Sequence, residues 1–161
     1  MEMNQNNVRF LKFENYRWNG VEVKKYKDEN KTWLNVCRQV IAGKAGEKIK
    51  FHLRYFEIEP GGYSTLEKHK HEHVVICVRG RGKAIAGNEV FEMGFMDVLY
   101  IGSNVPHQFV NDSDEAFGFF CIVDAKRDKP KLLTKKEIFN LLRDEKISKV
   151  IRIPETYAGL K

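Results

Sequence analysis

GGYSTLEKHKHEHVVICVRG, residues 61–80, holds three of the chain's five histidines within five positions, with a carboxylate two residues upstream. Glu67, His69, His71 and His73 share one parity, so on an extended strand their side chains would leave the same face. Imidazoles gathered beside a carboxylate are the donor set that Mn, Fe, Co, Ni or Zn accepts, and no thiolate interleaves with them to favour Cu(I). The alternative is a solvated strand edge rich in histidine. Two other chemistries are absent. His71-Glu72 is followed by His73-Val74-Val75, which breaks the H-E-x-x-H pattern of zinc proteases, and no Ser or Cys lies in a nucleophile elbow.

Working outward, the chain up to residue 125 reads as short strands between turns. Alternation marks Val21–Lys24, IKFHLRYFEIE (49–59), HVVICVRG (73–80) and KAIAGNEVFEM (83–93), the last carrying a Gly87-Asn88 hairpin signal. Further strands are predicted over Trp33–Ile41, Asp97–Ile101, Gln108–Val110 and Phe117–Val123, with turns at Pro60-Gly61-Gly62, Gly80-Arg81-Gly82, Gly94, Gly102-Ser103-Asn104 and Asn111–Asp114. Many short strands with no helix between them predict an all-β sandwich or barrel.

After Asp124 the character changes. AKRDKPK reads as a charged linker, and Thr134-Lys135-Lys136-Glu137 as a capping box opening a helix near 135–146, with Ile138, Leu141 and Leu142 at helical spacing. Ser148–Ile153 alternates like one more strand before Pro154. The expected layout is a barrel with N-terminal strands over 1–125 and a basic tail over 126–161, packed on the barrel or on a partner subunit.

The chain has 161 residues, enough for one domain with its own core. Its net charge of +6 sits wholly in residues 126–161, which hold 11 Lys/Arg against 5 Asp/Glu. These charges are interleaved with acids and carry no aromatic-basic motif, which argues against nucleic acid as a partner. No apolar run approaches the ~20 residues of a membrane span. The start, MEMNQNNVRF, has no signal-peptide pattern, so a cytoplasmic location is expected. Cys37, Cys77 and Cys121 are widely spaced in apolar stretches and read as small buried hydrophobes kept reduced.

The spacing Gly61-x5-Glu67-x-His69-x3-His73-x6-Gly80 resembles the first motif of the cupin family, G-x5-H-x-H-x3-E-x6-G, with Glu and His exchanged at the first and third ligand places. Gly94…Gly102…Pro106-His107-x3-Asn111 resembles the second. Together they span residues 61–111, and the strand pattern agrees over most of 20–125. The resemblance implies a double-stranded β-helix, or jelly-roll barrel, of the small single-domain conserved-barrel type with a short C-terminal helix. It also implies one divalent metal held by Glu67, His69, His73 and His107, and a homodimer. Glu67 stands where the family has His, so it is either a ligand or an acceptor for a histidine N–H. His71, at a spacer position, is either a rim imidazole, a replacement for Glu67, or an acid/base.

Other candidates follow from position alone. His52 reads as packed or surface. Phe91, Phe95, Tyr100, Phe109, Phe119 and Phe120 read as barrel packing, and Arg54, Tyr55, Arg79 and Gln108 as polar groups near the motif strands that could orient a substrate. The function expected is dioxygenase or isomerase/lyase chemistry on a small organic molecule at a mononuclear metal. The alternative is a non-catalytic cupin that binds a metal or small ligand as a sensor or partner-binding module.

Overall fold

The computed structural model of the protein describes residues 7–25 and 32–153. A small hairpin, β1 (Phe13–Glu14) and β2 (Arg17–Trp18), precedes one large antiparallel sheet. That sheet comprises β3 (Lys24–Lys25), β4 (Leu34–Ala42), β5 (Phe51–Tyr63), β6 (Glu67–Lys68), β7 (His73–Arg79), β8 (Gly82–Ala86), β9 (Glu89–Met93), β10 (Val98–Ile101), β11 (His107–Val110), β12 (Phe117–Asp124) and β13 (Lys131–Leu132). Its main path runs β10-β7-β12-β5-β11-β6-β13, with β4 also on β5 and β8 also on β11. Strand β5 is long enough to serve both walls, pairing with β4 and β12 along its body and with β11 at Tyr63, where Gly61 takes φ 76°. The result is a nearly closed barrel, as the two motifs imply.

Alternation along β5 divides its residues between two environments. Ile58 faces the inner core beside Val36, Val75, Cys77, Phe109, Phe117 and Phe119. Phe56 and Phe119 stack across the β5–β12 ladder at 5.6 Å between ring centroids. On the outer face Tyr55 is fully buried, because the N-terminal hairpin lies over it: Trp18 meets Tyr55 at 5.2 Å and Phe120 at 5.6 Å. Gly118 belongs to this face, since a Cβ there would lie 2.2 Å from the Tyr55 hydroxyl. The hairpin at Gly87-Asn88 forms as predicted, with Ala86 paired to Glu89 and Gly87 at φ 62°.

The C-terminal segment departs from the expectation. Helix α1 (Lys135–Leu142) starts at the Thr134–Glu137 capping box but stops at Arg143, short of residue 146. Ser148–Ile153 is not a strand; α2 (Glu145–Val150) takes its first half, and 151–153 follow without regular structure. Asp144 accounts for both changes. Its carboxylate accepts from the N–H groups of Lys146 (2.8 Å) and Ile147 (3.2 Å), which ends one helix and caps the next. Ile147, Val150 and Ile151 then recur at helical spacing and bury with Ile138, Leu141 and Leu133 against Leu66, Ile85 and Val110. Gln108 ties this layer down through hydrogen bonds to both backbone groups of Arg152 and to the Ser64 carbonyl. Residues 154–161, including Pro154, lie outside the described residues, and no described helix is long and apolar enough to cross a membrane.

Candidate metal centre

Three chain segments converge inside the barrel. His69 follows β6, His73 opens β7, and His107 opens β11 directly after Pro106. The β6–β11 ladder sets Glu67 across from His107, and β10 pairs with β7 so that Ile101 faces His73. The candidate ligand atoms of His69, His73 and His107 all lie within 4.8 Å of one another, and all three residues are buried.

Hydrogen bonds fix which nitrogens face inward. His69 Nδ1–H donates to the His71 carbonyl (2.7 Å) and His107 Nδ1–H to the Val105 carbonyl (2.8 Å), leaving each Nε2 with its lone pair. His73 Nδ1 lies 3.2 Å from Cys121 Sγ, and its Nε2 is buried with no hydrogen-bond partner. Burial depresses the imidazole pKa values, to about 2 for His73 and about 4 for His107, and His69 is lowered for the same reason. Three neutral imidazoles with converging lone pairs and an orphaned buried nitrogen fit a divalent transition metal.

Glu67 and His71 line the same cavity without joining that group of three. Burial raises the Glu67 carboxyl to about 7, with Arg54 opposing. His71 stacks on His69, rings 3.6 Å apart and 4° from parallel. Its Nδ1–H donates to Asp128 Oδ1 at 2.8 Å, and the same carboxylate accepts from the backbone N–H groups of Lys70 and His71. Those donors hold Asp128 well below the usual carboxylate range.

The cavity measures about 390 Å³, within the span typical of small-molecule sites. Of the four polar residues considered as substrate-orienting groups, Arg54 alone lines it. Tyr55 and Arg79 instead bond Glu57 on the outer face, and Gln108 clamps the C-terminal segment. His52 is buried, its Nδ1 accepting from Arg127 at 2.9 Å. Phe109 and Phe119 line the cavity, whereas Phe91, Phe95 and Tyr100 are exposed and so do not pack the barrel interior as expected.

Sequence reasoning missed two contributors. Cys121 Sγ sits in the cavity wall, 3.1 Å from Arg54 Nη2 and next to His73; burial raises its thiol pKa against the pull of Arg54. Arg127, Asp128 and Pro130 bring the charged linker over the cavity as a further wall.

Comparison with known proteins agrees with this geometry. A cupin domain family model matches residues 54–123. The 1-methylthio-D-xylulose 5-phosphate methylsulfurylase of Rhodospirillum rubrum is 42% identical over 134 residues, 83% of this chain and 85% of that protein. The chain belongs to the cupin family. Among solved structures, this cupin is similar to a cupin-2 domain protein of Rhodospirillum rubrum, with 39% identity, TM-score 0.79, and 91% and 94% of the two chains covered. It is also similar to a cupin 2 conserved barrel protein of Rhodopseudomonas palustris, at 34% identity, TM-score 0.85 and coverage of 90% and 100%.

Proposed function

We propose that this cupin is a metal-dependent enzyme that removes the methylthio group from a 1-methylthio-ketose 5-phosphate, with Cys121 accepting the sulfur group. The observation that carries this reading is the thiol of Cys121 in the cavity wall beside His73, in a chain 42% identical to a methylsulfurylase. Cys37 and Cys77 do not line that cavity.

In such a substrate the carbon bearing sulfur is bonded to the ketone carbon, so electrons released from the C–S bond can be stored as an enolate. The Cys121 thiolate attacks the methylthio sulfur. An S–S bond forms, the S–C1 bond breaks, and its electron pair passes into the ketone as the enolate. Arg54 Nη2–H and His73 Nδ1–H, both within hydrogen-bonding reach of Sγ, stabilise the thiolate before attack. The His71–Asp128 pair takes the thiol proton and returns a proton to C1, Asp128 fixing the imidazole tautomer. A low-molecular-weight thiol, the co-reactant, then attacks the methylthio sulfur: its S–S bond to that sulfur forms, the bond to Cys121 Sγ breaks, Cys121 leaves as thiolate and the methylthio group departs as the mixed methyl disulfide of that thiol. A divalent metal on His69, His73 and His107, with Glu67 as fourth ligand, would polarise the ketone oxygen as a Lewis acid.

This mechanism falls within the lyase-like branch of the expected chemistry and makes no use of dioxygen. A second copy of the chain as homodimer partner and the cytoplasm as location belong to the same proposal.

The test is a single turnover of metal-loaded protein with 1-methylthio-D-xylulose 5-phosphate in the absence of free thiol. Intact-mass and peptide analysis should find one methylthio group in place of a proton on Cys121, and added thiol should release it. Cys121→Ser should keep its metal and lose both the adduct and turnover. Turnover by Cys121→Ser at the wild-type rate would overturn the assignment.

A further inference from the structure

Arg54 stands on the inner face of β5 with its guanidinium inside the cavity, under partial cover of the Phe56 ring at 5.0 Å. Its Nη2 donates to Cys121, and its Nε is buried with no hydrogen-bond partner. Among the described residues no ion pair joins it to a carboxylate. The guanidinium is half-buried, and it acts on the Glu67 carboxyl of the same cavity without a direct ion pair, so an anionic ligand would add to its partners. Arg38 and Arg127 line the same cavity, while one of its two acids, Asp128, is engaged by His71 and two backbone N–H groups.

Register gives these groups an order. Cys121 on β12 pairs directly with Arg54 on β5. Arg54 in turn faces Val40 on β4, so Arg38, two residues away and opposite Phe56, is its diagonal neighbour on the cavity side. His73, Cys121, Arg54 and Arg38 therefore follow one another across four adjacent strands. From Cys121 to Arg38 is two strand spacings, about 10 Å, a length that the chain of a five-carbon phosphate ester spans from its C1 substituent to its phosphorus.

We propose that Arg38 and Arg54, closed over by Arg127, form the subsite for the phosphate of the substrate, on the β4–β5 side of the cavity. The assignment rests on the sugar-phosphate reading above and adds the residues that make the phosphate obligatory. Guanidinium forks suit a phosphate dianion; Arg38 stands away from the sulfur that Cys121 attacks, while Arg54, bonded to Cys121 through Nη2, lies between the two ends.

The test reads binding apart from turnover. Inorganic phosphate is titrated into wild type, Arg38→Met and Arg54→Met, all in the same metal state, by calorimetry, with acetate as control anion. Wild type should bind phosphate and not acetate, and each variant should bind it at least 10-fold more weakly while keeping its metal content and circular dichroism. With turnover, Arg38→Met should raise KM for the phosphorylated ketose at least 10-fold, and should lower the preference (kcat/KM ratio) for the phosphorylated over the unphosphorylated ketose by the same factor. Arg38→Met covers the case in which Arg54→Met does not fold. Equal phosphate affinity in wild type and Arg38→Met, or equal binding of acetate and phosphate, would overturn the subsite. Arginine-dependent phosphate binding without turnover would uphold the subsite and remove the methylsulfurylase reading instead.

Discussion

The two faces of β5 treat buried charge in opposite ways. Outward, Glu57 accepts from the Tyr55 hydroxyl at 2.7 Å and from Arg79 Nη1 at 2.6 Å, with Arg17 at 3.4 Å completing the cluster. Burial alone would raise the Glu57 carboxyl, but those donors hold it below its ordinary value, and Arg79 also lies over the Tyr16 ring at 4.4 Å. Inward, the half-buried Arg54 has the Cys121 sulfur, the Phe56 ring and the nearby charge of Glu67, and no direct ion pair with a carboxylate among the described residues. Both faces incur desolvation, and the outer one recovers more of it within the chain, through direct ion pairs. A polar network that closes on itself holds the fold; one left open towards a cavity is available to a ligand.

The largest stability effect should come from opening the closed side. Glu57→Ala strips Arg79 and Tyr55 of their common acceptor beneath the N-terminal hairpin. Breaking a buried ion pair costs about 3–5 kcal/mol, and the value here should fall near the lower end because the Arg79 side chain is 35% exposed. Urea unfolding measures it. The alkylation rate of Cys121 and the metal content per folded molecule should stay at wild-type levels. A loss below about 1 kcal/mol would show that water already serves Arg79.

The same strand shows where the sequence is readable and where it stops. The resemblance to the two cupin motifs, with their Gly61, Gly80 and Pro106 punctuation, points to the barrel and to the segments that bring His69, His73 and His107 together; parity alone groups His71 with Glu67, His69 and His73 and says nothing of His107. They do not separate Arg54 from Tyr55 and Arg79 as cavity groups. In residues 51–58 large apolar side chains occupy both parities, since the N-terminal hairpin covers the outer face as fully as the barrel covers the inner. Cys121 was equally opaque: in sequence its surroundings resemble those of Cys77, and only the β12–β5 register puts Arg54 beside it. The Asp128–His71 contact joins positions 57 residues apart, brought together where β13 pairs with β6. Ser148–Ile153 alternates in composition, but Asp144 caps a helix there, and a local cap outweighs a short run of alternation.

A smaller effect belongs to a half-exposed tie next to the site. Glu137 closes the capping box of α1 and also bonds Lys68 on β6, so that the helix layer is fastened to the strand preceding His69. Lys68 and the Thr134 donors lower its carboxyl to about 2. A folded pKa below the unfolded one gives stability that is complete above about pH 4.5 and fades as pH falls towards 2. Glu137→Gln should therefore cost about 1 kcal/mol at neutral pH, discounted for solvent screening, with the gap to wild type closing across that acid window. Chemical denaturation at a series of pH values reads both. A gap independent of pH would assign the loss to packing and not to the charge.

The smallest stability effect, and the one that bears most on the comparison, is Arg54→Met. A methionine keeps an apolar group against Phe56 and removes a half-buried charge that has no direct ion pair, so the unfolding free energy should stay level or rise by about 1 kcal/mol. Glu57→Ala on the neighbouring face should fall by several times that amount, although both substitutions delete one charge from the same strand. Turnover of the proposed substrate should meanwhile drop for Arg54→Met, because both the thiolate donor and the anion partner are gone. Such a trade, stability kept while activity is lost, is what separates a group retained for a ligand from one retained for the fold. A loss of 2 kcal/mol or more would mean that the Arg54 bond to Cys121 is structural, and the inner face of β5 would then be as closed as the outer.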